Sequence, residues 1–240
     1  MSDLESRIAR ITQPYLFQNT FILTDLPAKD KLQFEQSVTE ENRKRGDVLF
    51  RQGTYPKGVF WIVTGKVKIL QETGGQRQTM YIYSDGDLIG YRQLISDEAN
   101  PVSAVLLENS LIRFIPGDIF KDMIEKSPLF ARNVLTALAR EFTIWMNRTT
   151  VFTQFPVRRR LILALLILYQ QYLRSGSKNG VITITRTELA EYVGASLETV
   201  VRVLNTLKEN HGLKIHGRTI QLMDPGAFAD LVTTDERKKN

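Results

Sequence analysis

Residues 184–210 read ITRTELAEYVGASLETVVRVLNTLKEN. Thr185 with Glu188 three places on is a capping-box pattern, and it predicts a helix running to about Val193. Gly194 suits the left-handed residue of a tight interhelical turn. Ser196 is the N-cap of a second helix, whose Val200, Val203, Leu204 and Leu207 recur at the spacing that makes one buried face. Leu189, Ala190 and Val193 give the first helix a matching face. Two short helices joined at a glycine, each apolar on one side, form a helix-turn-helix, whose second helix lies in the major groove of DNA. Its wet face presents Leu197, Glu198, Val201, Arg202 and Asn205.

Immediately downstream, Leu213-Lys214-Ile215 and Thr219-Ile220-Gln221-Leu222 read as short strands, with His216-Gly217-Arg218 as the turn between them. This hairpin is expected to form a wing, which weighs against an αα-hairpin packed inside an enzyme. Upstream, residues 158–173 read as the first helix of the same domain, with Leu161, Leu165 and Leu168 inward. A polar loop at 175–180 and a short strand at 181–184 lead into the motif.

The whole chain has 240 residues, 42% of them hydrophobic and 24% charged, the balance of a soluble globular protein of one or two domains. Its longest aliphatic run, Leu161–Leu168, is eight residues, too short to span a bilayer. The opening MSDLESRIAR has acidic residues and lacks an apolar centre, so no signal peptide is expected and the location is read as cytoplasmic. The net charge of +6 points toward polyanionic partners. Part of the excess is Arg158-Arg159-Arg160; the basic run Arg237-Lys238-Lys239 is largely offset by Asp235 and Glu236. There are no cysteines, which removes thiolate catalysis and cysteine-held zinc or iron–sulfur clusters from consideration.

The N-terminal half has a different period. Residues 1–45 are expected to be mostly helical, with Leu4, Ile8 and Ile11 spaced by a turn and Leu32, Phe34 and Val38 following a start at Pro27. From Gly46 short strand-like pieces follow at 48–51, 59–63, 66–70, 78–83, 88–89, 103–107 and 111–115. They are punctuated by hairpin connections such as Thr64-Gly65 and Gly74-Gly75. Strands spaced this regularly argue for a β-sandwich or a jelly-roll-type barrel.

The segments RKRGDVLFRQGTYPKGVFWIVTGKVKIL and SDGDLIGYRQLI, followed by ITRTELAEYVGASLETVVRVL and HGRTI, occur here in order. Together they resemble the cyclic-AMP receptor protein/FNR (Crp/Fnr) family of bacterial transcription regulators. The resemblance covers nearly the whole chain. It implies an α+β architecture: a cyclic-nucleotide-binding-like β-roll (a double-stranded jelly-roll barrel) in residues 1–127, a dimerisation helix and hinge in 128–155, and a winged helix-turn-helix in 156–240. It also implies a homodimer on a palindromic operator, with RNA polymerase as a further partner.

The implied ligand site departs from the family pattern. Cyclic-AMP-binding members carry Gly-Glu and, about ten residues later, Arg-Ser; here the matching positions are Gly90-Tyr91 and Val102-Ser103. Tyr91 is not a carboxylate for a ribose hydroxyl, and Val102 cannot neutralise a phosphate. An effector other than cyclic AMP, or none, is therefore expected. Arg92 can serve an anionic ligand or simply cap a short helix. Trp145 and Met146 stand about where those members reach the ligand with small hydroxyl residues. Members with an iron–sulfur cluster use cysteines, and haem-binding members use a histidine or cysteine of the sensor domain. The histidines here are His211 and His216, so no cluster, haem or metal is expected.

Residues 128–153 read as one long helix. Leu135, Leu138, Phe142, Trp145, Thr149 and Phe152 alternate spacings of three and four, a heptad seam suited to pairing with a second copy. Leu129, Phe130, Val134 and Ile144 are apolar too, so packing on the barrel is the competing use of this helix. Proline at 156, after Phe155, ends it and makes a hinge.

On DNA, phosphate contacts are expected from Arg186, Thr187, Ser196, Thr199, Lys208, His216, Gly217 and Arg218, and base contacts from Glu198 and Arg202. The family carries Glu and Arg at the last two positions, whereas Leu197 stands where a further base-reading Arg occurs in cyclic-AMP-binding members. Glu198 and Arg202 also have the i,i+4 spacing of a surface ion pair. Two other functions compete with a regulator: a cyclic-nucleotide sensor whose C-terminal domain makes protein contacts, and an enzyme built on a cupin-like barrel. The second needs clustered histidine ligands, and residues 1–210 have no histidine.

Overall fold

The computed structural model describes residues 3–24 and 26–237. The chain forms two compact units. One runs Phe17–Phe142, and the other joins the residues up to Leu16 to those from Thr143 onward.

Helix α1 (Asp3–Thr12) belongs to the second unit, although the boundary expected at residue 127 groups it with the barrel. The barrel unit begins with α2 (Phe21–Thr24) and α3 (Ala28–Ser37), and eight strands follow. These are β1 (Thr39–Arg43), β2 (Val48–Phe50), β3 (Gly58–Thr64), β4 (Val67–Thr73), β5 (Gln76–Tyr83), β6 (Leu88–Ile89), β7 (Ser103–Leu106) and β8 (Ser110–Pro116). Helix α4 (Tyr91–Ser96) lies between β6 and β7, and α5 (Gly117–Lys126) follows β8. The strands make two antiparallel sheets in the orders β1-β8-β3-β6 and β2-β7-β4-β5, the two-sheet form of a jelly roll. Val59, Ile62, Val67, Ile82, Leu106, Ile112 and Ile115 bury themselves almost completely, and this layer of side chains is the core.

Glycines close the β4–β5 hairpin as read: Thr73 faces Gln76, and Gly74 and Gly75 between them both have positive φ, the requirement of a two-residue primed turn. Strand β1 is a correction, since helix was expected through residue 45. Its sequence TEENR is wholly polar and it is an edge strand mostly open to solvent, so no apolar alternation existed to be read.

Helix α6 (Pro128–Gln154) spans 27 residues and carries two parallel stripes. Phe130, Val134, Ala137, Glu141, Ile144, Arg148 and Val151 are buried. Leu135, Phe142 and Met146 on the other stripe are 66%, 68% and 57% exposed, Thr149 is exposed, and Leu138, Trp145 and Phe152 are half-buried. Of the expected heptad seam, Leu135, Phe142 and Thr149 are thus exposed and the other three positions partly covered.

The second unit is built around α7 (Val157–Arg174), capped by Pro156. Leu161–Leu168 are all buried because α1 and three later helices surround this rod. A 3₁₀ turn at Lys178–Gly180 leads to β9 (Ile182–Thr183), α8 (Arg186–Val193), α9 (Leu197–Asn210), β10 (Leu213–His216), β11 (Thr219–Leu222) and α10 (Pro225–Arg237). Strands β10, β11 and β9 form a three-stranded antiparallel sheet. Ile8 is 1% exposed and Arg7 bonds Asp230, which fastens α1 beside α10. No helix among the described residues is long and apolar enough to cross a membrane. Lys238 and Lys239 of the terminal basic run lie outside the described residues.

Candidate functional site

The turn between α8 and α9 is set by short-range chemistry. The Thr185 hydroxyl accepts from the Glu188 N–H at 3.1 Å, and the Glu188 carboxylate accepts from the Thr185 N–H at 2.9 Å, the complete capping box. Gly194 takes φ 66°, ψ 51°, and its N–H closes on the Ala190 carbonyl at 2.9 Å. Ser196 then accepts from the Thr199 N–H at 3.2 Å and starts α9, while its own hydroxyl donates to Thr199 Oγ1 at 2.8 Å. Ser196 and Thr199 together form the helix start.

Val200, Leu204 and Leu207 seat α9 on its own unit, and Val203 is only half-buried. The opposite face is a continuous exposed strip of Leu197, Glu198, Val201, Arg202 and Asn205, with Leu197 at 47%. No ion pair joins Glu198 to Arg202 among the described residues, so the guanidinium keeps all its donors for a partner. Thr187, Lys208, Gly217 and Arg218 are exposed.

The wing turn is tighter than read. His216 faces Thr219 as the last strand pair, leaving Gly217-Arg218 as a two-residue turn with Gly217 at φ +53°. Arg186 departs from a plain phosphate contact: its Nη2 donates to the Gly217 carbonyl at 3.1 Å, and partial burial lowers its guanidinium from the ordinary value. It ties the first helix of the motif to the wing tip.

In the barrel unit, Gly90 has φ 90°, which favours glycine, and it opens α4. Tyr91 turns inward to 1% exposure and donates its hydroxyl to Glu141 Oε2 at 3.0 Å. Tyr83 donates to the other carboxylate oxygen, and Arg92 Nη1 lies 3.9 Å from it. Burial and the Glu141 charge hold both phenols well above their ordinary pKa. Nearby, Asn19 bonds the backbone of Leu88 from both ends of its amide, at 2.7 and 2.8 Å. Its N–H donates to buried Asp87 at 3.0 Å. Burial pushes the Asp87 carboxyl up to about 7, against the opposing pull of N–H bonds from Ser84 and Asn19.

The cyclic nucleotide-binding domain family matches residues 40–127, and the Crp-like helix-turn-helix domain family matches residues 159–231. The chain belongs to the Crp/Fnr family. It is 24% identical over 199 residues to the anaerobic regulatory protein of Haemophilus influenzae, covering 81% of this chain and 77% of that protein. It is 27% identical over 188 residues to the cyclic AMP receptor protein of Thermus thermophilus, covering 78% and 85%. The FixK2 structure from Bradyrhizobium japonicum shares the fold at TM-score 0.72 and 20% identity, covering 81% of this chain and 96% of that one. This Crp/Fnr protein is accordingly a DNA-binding transcription regulator, and the reading of its C-terminal domain as a protein-contact module is set aside.

As a Crp/Fnr barrel it departs from the expected pocket. Gly90 alone of the expected residues borders the large cavity of this unit; Tyr91, Arg92, Val102 and Ser103 do not. The reason is local. Tyr91 is buried against Glu141, and the Ser103 hydroxyl accepts from the Gln52 N–H at 2.9 Å. Trp145 and Met146 belong to the other compact unit, half-buried and 57% exposed.

Sequence reasoning missed three positioning residues. Arg160 donates to the Gly194 carbonyl at 3.1 Å and so holds the interhelical turn. Arg159 is buried with its guanidinium 3.8 Å from the Phe155 ring centroid. Glu141 anchors both tyrosines. A run of three arginines reads as surface charge, and only its flanking Phe155-Pro156 hinge hinted otherwise.

Proposed function

We propose that this regulator works as a homodimer that reads a palindromic operator, with one α9 strip in each of two successive major grooves. The observation that carries this is the exposure of Leu135, Phe142 and Thr149, alternating along the seam with half-buried Leu138, Trp145 and Phe152, on a helix whose opposite face is buried. Exposed aromatic and aliphatic side chains repeating by heptads favour a second helix of the same kind, and two half-sites one DNA turn apart require two linked recognition helices.

In this reading Glu198 accepts from a cytosine amino group and Arg202 grips a guanine edge with two donors. Thr187, Lys208, His216, Gly217 and Arg218 hold phosphates and set register. RNA polymerase is the partner through which transcription responds. Gating is by a small molecule other than cyclic AMP, because Tyr91 and Val102 offer neither the carboxylate nor the guanidinium that cyclic AMP needs. No catalysis, metal, haem or iron–sulfur cluster takes part, in keeping with the lack of cysteine and of barrel histidines. The setting is the cytoplasm.

Selecting bound duplexes from a random pool tests the reading. A two-fold symmetric consensus, retained by a species of twice the chain mass in sedimentation, is the expected result. A monomer, or retention of all duplexes alike, overturns it.

A further inference from the structure

Strands β1 and β2 are edge strands of the two sheets, and residues of both, with others from β3 and β8, border one cavity. Its volume of about 780 Å³ is within the range that holds small organic ligands. Its floor is an aromatic ladder: Phe50 and Phe60 have ring centroids 6.2 Å apart, and Phe60 and Phe114 5.2 Å apart. Val48, Leu49 and all three phenylalanines stay partly exposed, so apolar surface that a sandwich normally hides is left in contact with water.

The rim is basic on balance. Arg43 is matched by Glu41 at 2.7 Å, and the Asp47 carboxylate accepts from the Lys44 N–H. Arg51 and Lys57 also border the cavity, and neither side chain has a partner among the described residues. An open cleft with an aromatic floor and two unspent cations at its mouth matches a molecule with a flat hydrophobic body and one anionic group.

We infer that this cleft is the effector site and that it takes an aromatic or alicyclic carboxylate. The inference deepens the gating part of the proposed function. It concerns a different place from the Tyr91–Ser103 region that the family resemblance pointed to. A flat ring can stack on the phenylalanine ladder while its carboxylate reaches the Arg51 and Lys57 head groups.

The test is calorimetric titration of the full-length protein, without DNA, so that its failure leaves operator binding untouched as a separate result. The probes are 1-naphthoate and its uncharged counterpart 1-naphthalenemethanol. Naphthoate is expected to bind saturably at one site per chain, and the alcohol about tenfold more weakly. The exposed double variant Arg51→Gln/Lys57→Gln is expected to lose about tenfold in naphthoate affinity while keeping alcohol affinity, and Ser103→Ala to keep both. No saturable binding of naphthoate, equal affinity for both probes, indifference to the double variant, or a loss on Ser103→Ala instead would each overturn the assignment.

Discussion

The Tyr91 hydroxyl donates to the Glu141 carboxylate at 3.0 Å, joining the start of α4 to the middle of α6 through a buried hydrogen bond. Tyr83 completes the pair from β5. Buried carboxylates are tolerated only when their lone pairs are matched, and here two phenols supply that match.

Tyr91→Phe removes one donor from a carboxylate that cannot rehydrate. The expected loss is about 1.5–3 kcal/mol of unfolding free energy, read from urea denaturation of the full chain. Glu141→Gln in the same background should cost less than it does alone, because the partners are coupled; a double-mutant cycle measures this.

Asp87 gives the barrel a pH-dependent term of defined sign. Its folded-state pKa of about 7 lies above the ordinary value of 3.8, so the folded chain holds a proton that the unfolded chain has released. Below about pH 4 both states are protonated and burial carries no ionic cost; as pH rises from about 4 to about 7 this group lowers stability, and above that its effect is constant. Asp87→Asn is expected to flatten the fall in unfolding free energy across that window, measured as urea midpoints at intervals of pH.

Phe142→Glu places a charge in the uncovered stripe of α6. Phe142 is 68% exposed, so monomer stability should change by no more than about 0.5 kcal/mol, while the dimer population collapses in sedimentation velocity and operator affinity falls with it. Glu40→Gln, remote from the stripe, serves as the comparison.

Arg202→Ala is expected to relax selection at one base pair of each half-site, at about 1–3 kcal/mol, read by competition between operator variants. Lys208→Ala should weaken binding evenly across sequences and reduce the slope of log affinity against log salt by about one.

How far the sequence could be read followed the range of the interactions. Thr185, Glu188, Gly194 and Ser196 act within four residues of themselves, so the helix-turn-helix and its caps were legible in full. The β4–β5 hairpin was legible for the same reason, from Gly74-Gly75. Strand β1 was not, because its polar TEENR pairs only with β8 at the far end of the barrel, from Thr39 facing Phe114 to Arg43 facing Ser110. Glu141 was hidden more deeply: its tyrosine partners lie 50 and 58 residues away, and nothing near it in the chain hints at either. The terminal α10 escaped notice although Phe228, Ala229 and Val232 are buried. Arg186 carries a role that short-range reading could not show, since its bond to the Gly217 carbonyl crosses 31 residues.

The docking of α1 makes the DNA-reading unit discontinuous along the chain: its opening helix is synthesised before the entire barrel, and its remaining helices after it. Topologically the barrel is an insert within this unit. A fragment cut to begin at the hinge would leave the faces of α7 and α10 that α1 covers, including the Leu163 and Ile167 patch under Ile11, bare to water. Such a piece should be prone to self-association, and adding the α1 peptide in trans should restore its solubility.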